Sequence, residues 1–206
     1  MFYPVFIELN GRSVLVVGGG PIAERKVEAL LEAGARITLV SPDVTPQLEQ
    51  SRIDWKQRTF QESDLDGVML VVSATDDTEV QRHVAAAARA RNIMVNTVDI
   101  PALCDFIIPA IVRQGDVIAA ISTSGKSPAL AAALRARLNE LLTEDVGRAA
   151  HVMGAIRSEV HMRVPDTAER KRVFEKILES GLLDWIGECD NAEAVKRARE
   201  VIDQIV

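Results

Sequence analysis

Aromatic residues are scarce, with five Phe, two Trp and one Tyr in 206 residues, so any core must be built from Ala, Val, Leu and Ile. Cysteine is scarcer still. Cys104 and Cys189 stand far apart with no CxxC pair, which excludes a disulfide framework and a zinc signature. The expectation is two buried free thiols in a reducing cytosol. The chain also lacks basic excess. A net charge of −6 argues against nucleic acid as the main partner, because phosphate backbones are bound by a basic face; a local basic pocket for an anionic small molecule stays open. No apolar run approaches the roughly 20 residues that span a bilayer, so no membrane partner is expected. The opening MFYPVFIELNGR has neither a basic segment nor a long apolar one, so no signal peptide is expected and the protein is placed in the cytoplasm. The three histidines, His83, His151 and His161, show no metal-ligand spacing, and no metal site is expected.

What is present is an alternation of strand and helix patterns. Residues 13–17 (SVLVV) read as a buried parallel strand ending at Gly18. Pro21 opens a helix that Gly34 stops. Strands follow at 36–40, 55–59, 68–73 and 93–96, with an Ala-rich helix over 78–91. This order calls for an α/β fold with a Rossmann-type, doubly wound parallel sheet. Near Pro101 the texture changes. Runs 106–112 and 117–121 flank the turn Gln114-Gly115-Asp116 and read as a hairpin. Ser127, as N-cap before Pro128, opens a helix to about Leu142. Only helical periodicity follows, over about 145–162, 166–179, 181–187 and 191–205. The expected domains are 1–112 for the sheet, 113–144 as a connecting segment with a polar loop, and 145–206 as a small all-helical C-terminal domain.

Gly18-x-Gly20-x-x-Ala23 lies between a strand and a helix starting with Pro, which is the context that makes this string a dinucleotide loop. Gly18 permits the tight turn and Gly20 the approach of a pyrophosphate. Ala23 keeps the helix close to the sheet, and the first helical turn, Pro21-Ile22-Ala23, brings its N–H groups to face the phosphates, Pro21 costing nothing there because its missing N–H would be unpaired. The acid expected about 20 residues on is not clear-cut. Ser41, Pro42 and Asp43 occupy the tip of the second strand, and Asp43 or a backbone group of this turn is the candidate for the adenosine ribose. No Arg cluster follows, so NAD is favoured over NADP. Gly125-Lys126-Ser127 resembles the end of a Walker A loop, but Ala120 stands where that motif needs its first glycine, and an NTPase is rejected.

Such folds hold their ligand at the C-terminal strand ends. The polar residues there are Thr75 in Ser73-Ala74-Thr75-Asp76-Asp77, Asn96 and Asp99 in Asn96-Thr97-Val98-Asp99-Ile100-Pro101, and the loop Ser122-Thr123-Ser124-Gly125-Lys126. Thr75 and Asn96 are candidate cofactor contacts. Asp99 is the general-base candidate, since partial burial between Val98 and Ile100 would raise its pKa; its other reading is the start of a turn. Asp76 or Asp77 reads as a helix cap. The polar loop offers hydroxyls, N–H groups and an ammonium, fit for carboxylates or for phosphorylation at Thr123 or Ser124. Arg25 and Lys26 form a solvated face or line a groove for an anionic substrate.

These motifs together resemble the precorrin-2 dehydrogenase / sirohydrochlorin ferrochelatase family, the N-terminal module of siroheme synthases. The resemblance rests on residues 17–26 (VGGGPIAERK), Ala33-Gly34-Ala35, Ala74-Thr75-Asp76-Asp77, residues 96–101 (NTVDIP), Phe106-Ile107-Ile108-Pro109-Ala110 and Ser124-Gly125-Lys126-Ser127-Pro128, and it covers about residues 1–150. It implies an oxidoreductase that passes a hydride from precorrin-2 to NAD, giving sirohydrochlorin. In many members the same site is then a lyase-class chelatase, inserting ferrous ion as a substrate to give siroheme. Asp99 would take protons in both steps. Arg113, Thr123, Ser124, Gly125 and Lys126 would meet the substrate's carboxylates. The family's phosphorylated serine falls on Thr123 here, a departure. A homodimer is implied, with the segment after the Rossmann unit exchanged between subunits. The alternatives are a dehydrogenase without chelatase activity, and a non-catalytic NAD- or tetrapyrrole-binding sensor.

Overall fold

The computed structural model of the chain describes residues 2–206. Residues 2–108 and Pro109–Val206 form two compact units. In the first, strands β1 (Ser13–Val17), β2 (Arg36–Val40), β3 (Asp54–Lys56), β4 (Leu70–Ser73) and β5 (Met94–Thr97) make one sheet in the order β3-β2-β1-β4-β5. Every neighbouring pair is parallel. Helices α1 (Pro21–Glu32), α2 (Pro46–Glu49) and α3 (Thr78–Ala90) connect them.

β1 shows why its sequence is apolar without alternation. Val14 and Val16 pack into one cluster with Ala23 and Val27 of α1. Leu15 and Val17 pack into the opposite cluster with Val84, Ala85 and Ala88 of α3. A strand covered on both faces has no solvent side, and each such side chain contributes about 1.5–3 kcal/mol by leaving water. The chain builds outward from β1 to β3, then returns to place β4 on β1's other edge. That reversal leaves a crevice beyond the C-terminal ends of β1 and β4, where a parallel sheet holds its ligand.

The second unit begins with an antiparallel hairpin, β6 (Ala110–Gln114) and β7 (Val117–Ile121), turning at Gly115, which has φ +56°. Helices α4 (Pro128–Leu141), α5 (Glu144–Arg163), α6 (Thr167–Glu179), α7 (Leu182–Trp185) and α8 (Asn191–Ile205) follow. Val152, Ile156 and Val160 of α5 close a core with Val173 and Ile177 of α6 and Ala194, Ala198 and Ile202 of α8. These three- and four-residue spacings are the apolar stripes of packed helices. Helix α5 meets the hairpin turn backbone to backbone: a Cβ at Gly147 would lie 2.7 Å from the Gln114 carbonyl oxygen. Helix α4 buries none of its side chains.

The hairpin starts at Ala110 rather than at the expected 106. Phe106 packs instead on the sheet cluster of the first unit, and its carbonyl accepts a hydrogen bond from Asn96. The two units accordingly part between Ile108 and Pro109, ahead of the expected 112.

Candidate functional site

The glycine loop lies at the end of β1, and its three glycines do different things. Gly18 has φ +113°, and a Cβ on it would come 2.4 Å from the Ala74 carbonyl oxygen at the end of β4. Only glycine fits that close crossing at the point of strand reversal. Gly19 is tighter: a Cβ would fall 2.0 Å from the Asp43 carbonyl oxygen and 2.9 Å from the Ser41 hydroxyl. Gly20 meets nothing within 4 Å. Gly20 is the N-cap of α1, and no side chain caps that end. Pro21 has no N–H to offer, so the N–H groups of Ile22 and Ala23 are the unpaired donors of the first turn. Ala23 is fully buried and holds α1 against the sheet. An open space over an uncapped helix N-terminus, faced by a glycine without side chain, fits the pyrophosphate of a dinucleotide.

The turn after β2 is built to receive this loop. The Ser41 hydroxyl donates to the Asp43 carbonyl oxygen at 2.6 Å, and the Trp55 indole N–H donates to the Ser41 carbonyl at 3.0 Å. Thr45 N–H donates to the Gly19 carbonyl at 3.0 Å. The Thr45 hydroxyl donates to the Glu24 carboxylate at 2.5 Å. Ser41 is therefore buried and spent on shaping the turn, while Pro42 and Asp43 are exposed. Beside this turn, Lys56 lies next to Val40 in register. Lys56 and Arg58 both bind the buried carboxylate of Asp64, at 3.0 and 2.6 Å. The Arg58 guanidinium, with help from the Gln61 N–H and Lys56, holds the Asp64 carboxyl far below the usual range despite its burial.

Two loops at the ends of β4 and β5 carry the remaining candidates of this unit. Asp77 is the N-cap of α3, accepting from Glu79 N–H at 2.9 Å and Val80 N–H at 3.2 Å. The Thr75 hydroxyl accepts from Asp77 N–H at 3.3 Å. Asn96 is buried, and its amide donates to the Phe106 carbonyl at 2.9 Å and to Cys104 Sγ at 3.7 Å. That commitment makes Asn96 a tie for the chain leaving β5. Asp99 has φ +61°, the left-handed region that Asp tolerates better than most residues. Asp99 is exposed, not partly buried, because the turn lifts it clear of its neighbours Val98 and Ile100. Its charge is felt by Lys26: burial, reinforced by Arg25, pushes the Lys26 ammonium down, and Asp99 opposes the change. Lys26 follows the buried α1 stripe of Ala23 and Val27, which packs in one cluster with Val98. Cys104 and Cys189 are free and only half-buried, so the fully buried thiols expected are corrected. Cys104 Sγ lies 3.2 Å from Thr97 N–H, which donates to it.

Two residues escaped the sequence reading, and a third, Gly19 of the phosphate loop, was read without its close packing on Asp43. Asp64 was hidden because its burial beside Lys56 and Arg58 shows only in the fold. Gln81 had a visible signal: it falls on the stripe of α3 that also carries Val84, Ala85 and Ala88, all buried. A polar residue on a buried stripe marks a specific partner. Its amide donates to the Thr75 carbonyl at 2.8 Å and to the Val98 carbonyl at 3.1 Å.

In the second unit, Arg113 is exposed on β6. The Thr123 hydroxyl donates to the Ser127 carbonyl at 3.0 Å and accepts from Ser127 N–H at 3.1 Å, closing the loop on itself. Ser124 has φ +53° and Gly125 φ +78°, and Ser124 and Lys126 are exposed. The Ser127 hydroxyl caps α4 by accepting from Leu130 N–H at 3.1 Å. Thr123 thus staples the loop, while Ser124, Gly125 and Lys126 present it. Among the described residues no group of three His, Cys, Asp or Glu gathers as a metal site, and no helix is long and apolar enough to cross a membrane.

Residues 5–110 match the family described as putative NAD(P)-binding. Residues 120–141 match the sirohaem biosynthesis protein central region, and residues 145–202 the sirohaem synthase dimerisation region. The chain is 43% identical over 182 residues to a siroheme synthase of Thioalkalivibrio sulfidiphilus, covering 86% of this chain and 37% of that protein. It is 41% identical over 207 residues to a siroheme synthase of Methylobacillus flagellatus, covering 98% of this chain and 44% of that protein. The chain thus spans less than half the length of these curated relatives. Among solved structures it is similar to SirC, a precorrin-2 dehydrogenase, with a TM-score of 0.79 and 28% identity over 99% of this chain and 98% of that one. The chain belongs to the putative NAD(P)-binding family, in the version shared with the siroheme synthases that carries the sirohaem central and dimerisation regions behind it.

Proposed function

We propose that this protein oxidises precorrin-2 to sirohydrochlorin with NAD. The observation that carries the reading is the full-length likeness to a precorrin-2 dehydrogenase, combined with an open glycine cradle after β1 and an exposed carboxylate after β5, at the same end of one sheet with β4 between them. NAD, when bound, supplies the hydride acceptor. The N–H groups of Ile22 and Ala23 receive its pyrophosphate over Gly20. Thr75 lines the cofactor side, and Asn96 acts by holding its strand end in place. Asp43 or the backbone of residues 41–43 meets the adenosine ribose. NAD is favoured over NADP because the basic groups that reach the end of β2, Lys56 and Arg58, are already bound to Asp64.

Two hydrogens leave precorrin-2, one as hydride to the cofactor and one as a proton. Asp99 takes the proton, its carboxylate standing in solvent where it can pass the proton on. Lys26 and Arg25 add positive charge beside it. In the second unit, Arg113, Ser124, Gly125 and Lys126 offer donors of the kind that suit a substrate edged with carboxylates. Thr123 supports that loop from within.

The names of the relatives favour a second step in the same site. Siroheme requires ferrous ion, as substrate, to replace two pyrrole protons of sirohydrochlorin, and Asp99 is the acceptor for them. A homodimer that exchanges residues 113–144 is supported by α4, whose Leu130, Leu134 and Leu141 are exposed along with Ile111 of β6, and by the match of 145–202 to a dimerisation region.

The test is turnover of precorrin-2 with NAD by the purified protein, read as NADH formation. Asp99→Ala is expected to abolish it while circular dichroism and melting stay unchanged; near-normal turnover would sink the assignment. Sirohydrochlorin with ferrous or cobaltous ion, without NAD, tests the second step: no chelation above the uncatalysed rate leaves the dehydrogenase alone.

A further inference from the structure

We infer that Gln81 is a positioning residue for Asp99 and sets the catalytic geometry of this site; the inference rests on the proposed role of Asp99. Gln81 is 5% exposed, and the two N–H groups of its amide are divided between two loops. One goes to the Thr75 carbonyl at 2.8 Å, in the loop after β4. The other goes to the Val98 carbonyl at 3.1 Å, in the loop after β5.

The second bond is the informative one. The Val98 carbonyl and the Asp99 N–H belong to one planar peptide, so fixing the carbonyl fixes the plane from which Asp99's φ is measured. Val98 N–H is already held by the Ser73 carbonyl at 2.9 Å. Both polar groups of Val98 are thus pinned, and Asp99 leaves that fixed peptide with a φ of +61°. A non-glycine residue stays in that region only when its surroundings over-determine it, and such residues cluster where chemistry needs them. Gln81 is the side chain that supplies the constraint. The first bond gives the constraint a reference point. Thr75 follows Ala74, whose carbonyl roofs Gly18. The Gln81 amide therefore ties the loop that carries the acid to the same strand end that shapes the cofactor loop.

Gln81 is buried, so its loss should appear mainly in kcat, with only a small effect on cofactor affinity through Thr75. Gln81→Met keeps the length of the side chain and removes both donors. We expect kcat for precorrin-2 to fall by roughly ten- to a hundred-fold, the scale of a small misplacement of a catalytic group, with the NAD dissociation constant changed by less than about three-fold. Gln81→Glu carries a built-in rescue. As a neutral acid it can donate to one carbonyl; as a carboxylate it faces two carbonyl oxygens and repels them. Its activity relative to the parent protein should therefore be highest at low pH and drop as pH rises while circular dichroism stays unchanged over the same range; a purely structural role would lose fold and activity together. A pH-independent ratio, or a Gln81→Met variant within about two-fold of the parent kcat, overturns the inference. Asp99→Asn, measured in parallel, separates the two readings. If it is inactive while Gln81→Met is normal, only the positioning role falls; if Asp99→Asn itself turns over normally, the role of Asp99 falls and that of Gln81 with it.

Discussion

Gly19 and Asp43 touch so closely that no side chain fits between them: a Cβ on Gly19 would lie 2.0 Å from the Asp43 carbonyl oxygen. Gly19→Ala must push the turn after β2 outward and break the Ser41 and Thr45 hydrogen bonds that seat it. We expect a loss of about 1–3 kcal/mol, the scale of overpacking in a tight site, measurable as a lower denaturant midpoint with an unchanged slope. A variant as stable as the parent would mean that this turn yields freely.

Gly20→Ala should behave in the opposite way. The space beside Gly20 is open and its φ of −81° is ordinary for any residue, so the fold tolerates a methyl group there. The same methyl would stand where the pyrophosphate approaches. NAD affinity is expected to drop by at least about ten-fold, or 1.4 kcal/mol, in calorimetry, with only the small fall in melting temperature that alanine at a helix N-cap brings. Unaltered NAD binding would place the pyrophosphate elsewhere.

Asp64 makes stability depend on acid. Its carboxyl is held far below the ordinary value by Arg58, so its contribution is present above the unfolded-state pKa of about 3.9 and is lost as pH falls toward the folded one. Asp64→Asn should cost about 1–2 kcal/mol near neutrality, since the partners are partly exposed and screened. The gap to the parent should close as pH is lowered through about 4 toward 2. A gap that is constant with pH would assign the loss to packing. The same variant frees Lys56 and Arg58 beside the end of β2 and should raise the affinity for NADP relative to NAD.

Gly147 is the point where α5 rests on the hairpin turn, with 2.7 Å between its missing Cβ and the Gln114 carbonyl oxygen. Gly147→Ala sits well in a helix by propensity, so any destabilisation reports the collision alone. We expect a lower melting temperature and faster amide exchange of β6 and β7. Unchanged exchange would show that the helix can slide off the turn.

The parts of this fold that were legible in the sequence are those written locally. β1 and β4 are covered on both faces and so appear as unbroken apolar runs. Asp77 and Ser127 cap helices whose first turns follow directly. Gly18 and Gly20 belong to a spacing with a known mechanical meaning. What was not legible depends on segments that meet only in three dimensions. Gly19 looks like any flexible glycine until residues 41–44 arrive beside it. Phe106 looks like the start of a strand, yet it is drawn to the sheet by Asn96. Asp99 was placed by its neighbours in sequence, Val98 and Ile100, and expected to be half-buried; its positive φ turns it away from both.

The contact between Gly18 and Ala74 also has a temporal meaning. β1 lies at the centre of the sheet, but its second partner, β4, is more than fifty positions later in the chain. β2 and β3 can assemble on β1 as each helix closes. The cofactor loop has no roof until residues 70–74 have crossed over and paired. Long-range closures of this kind are the slow steps of folding. The phosphate cradle, although it is encoded near the beginning of the chain, is among the last parts of the sheet to take shape.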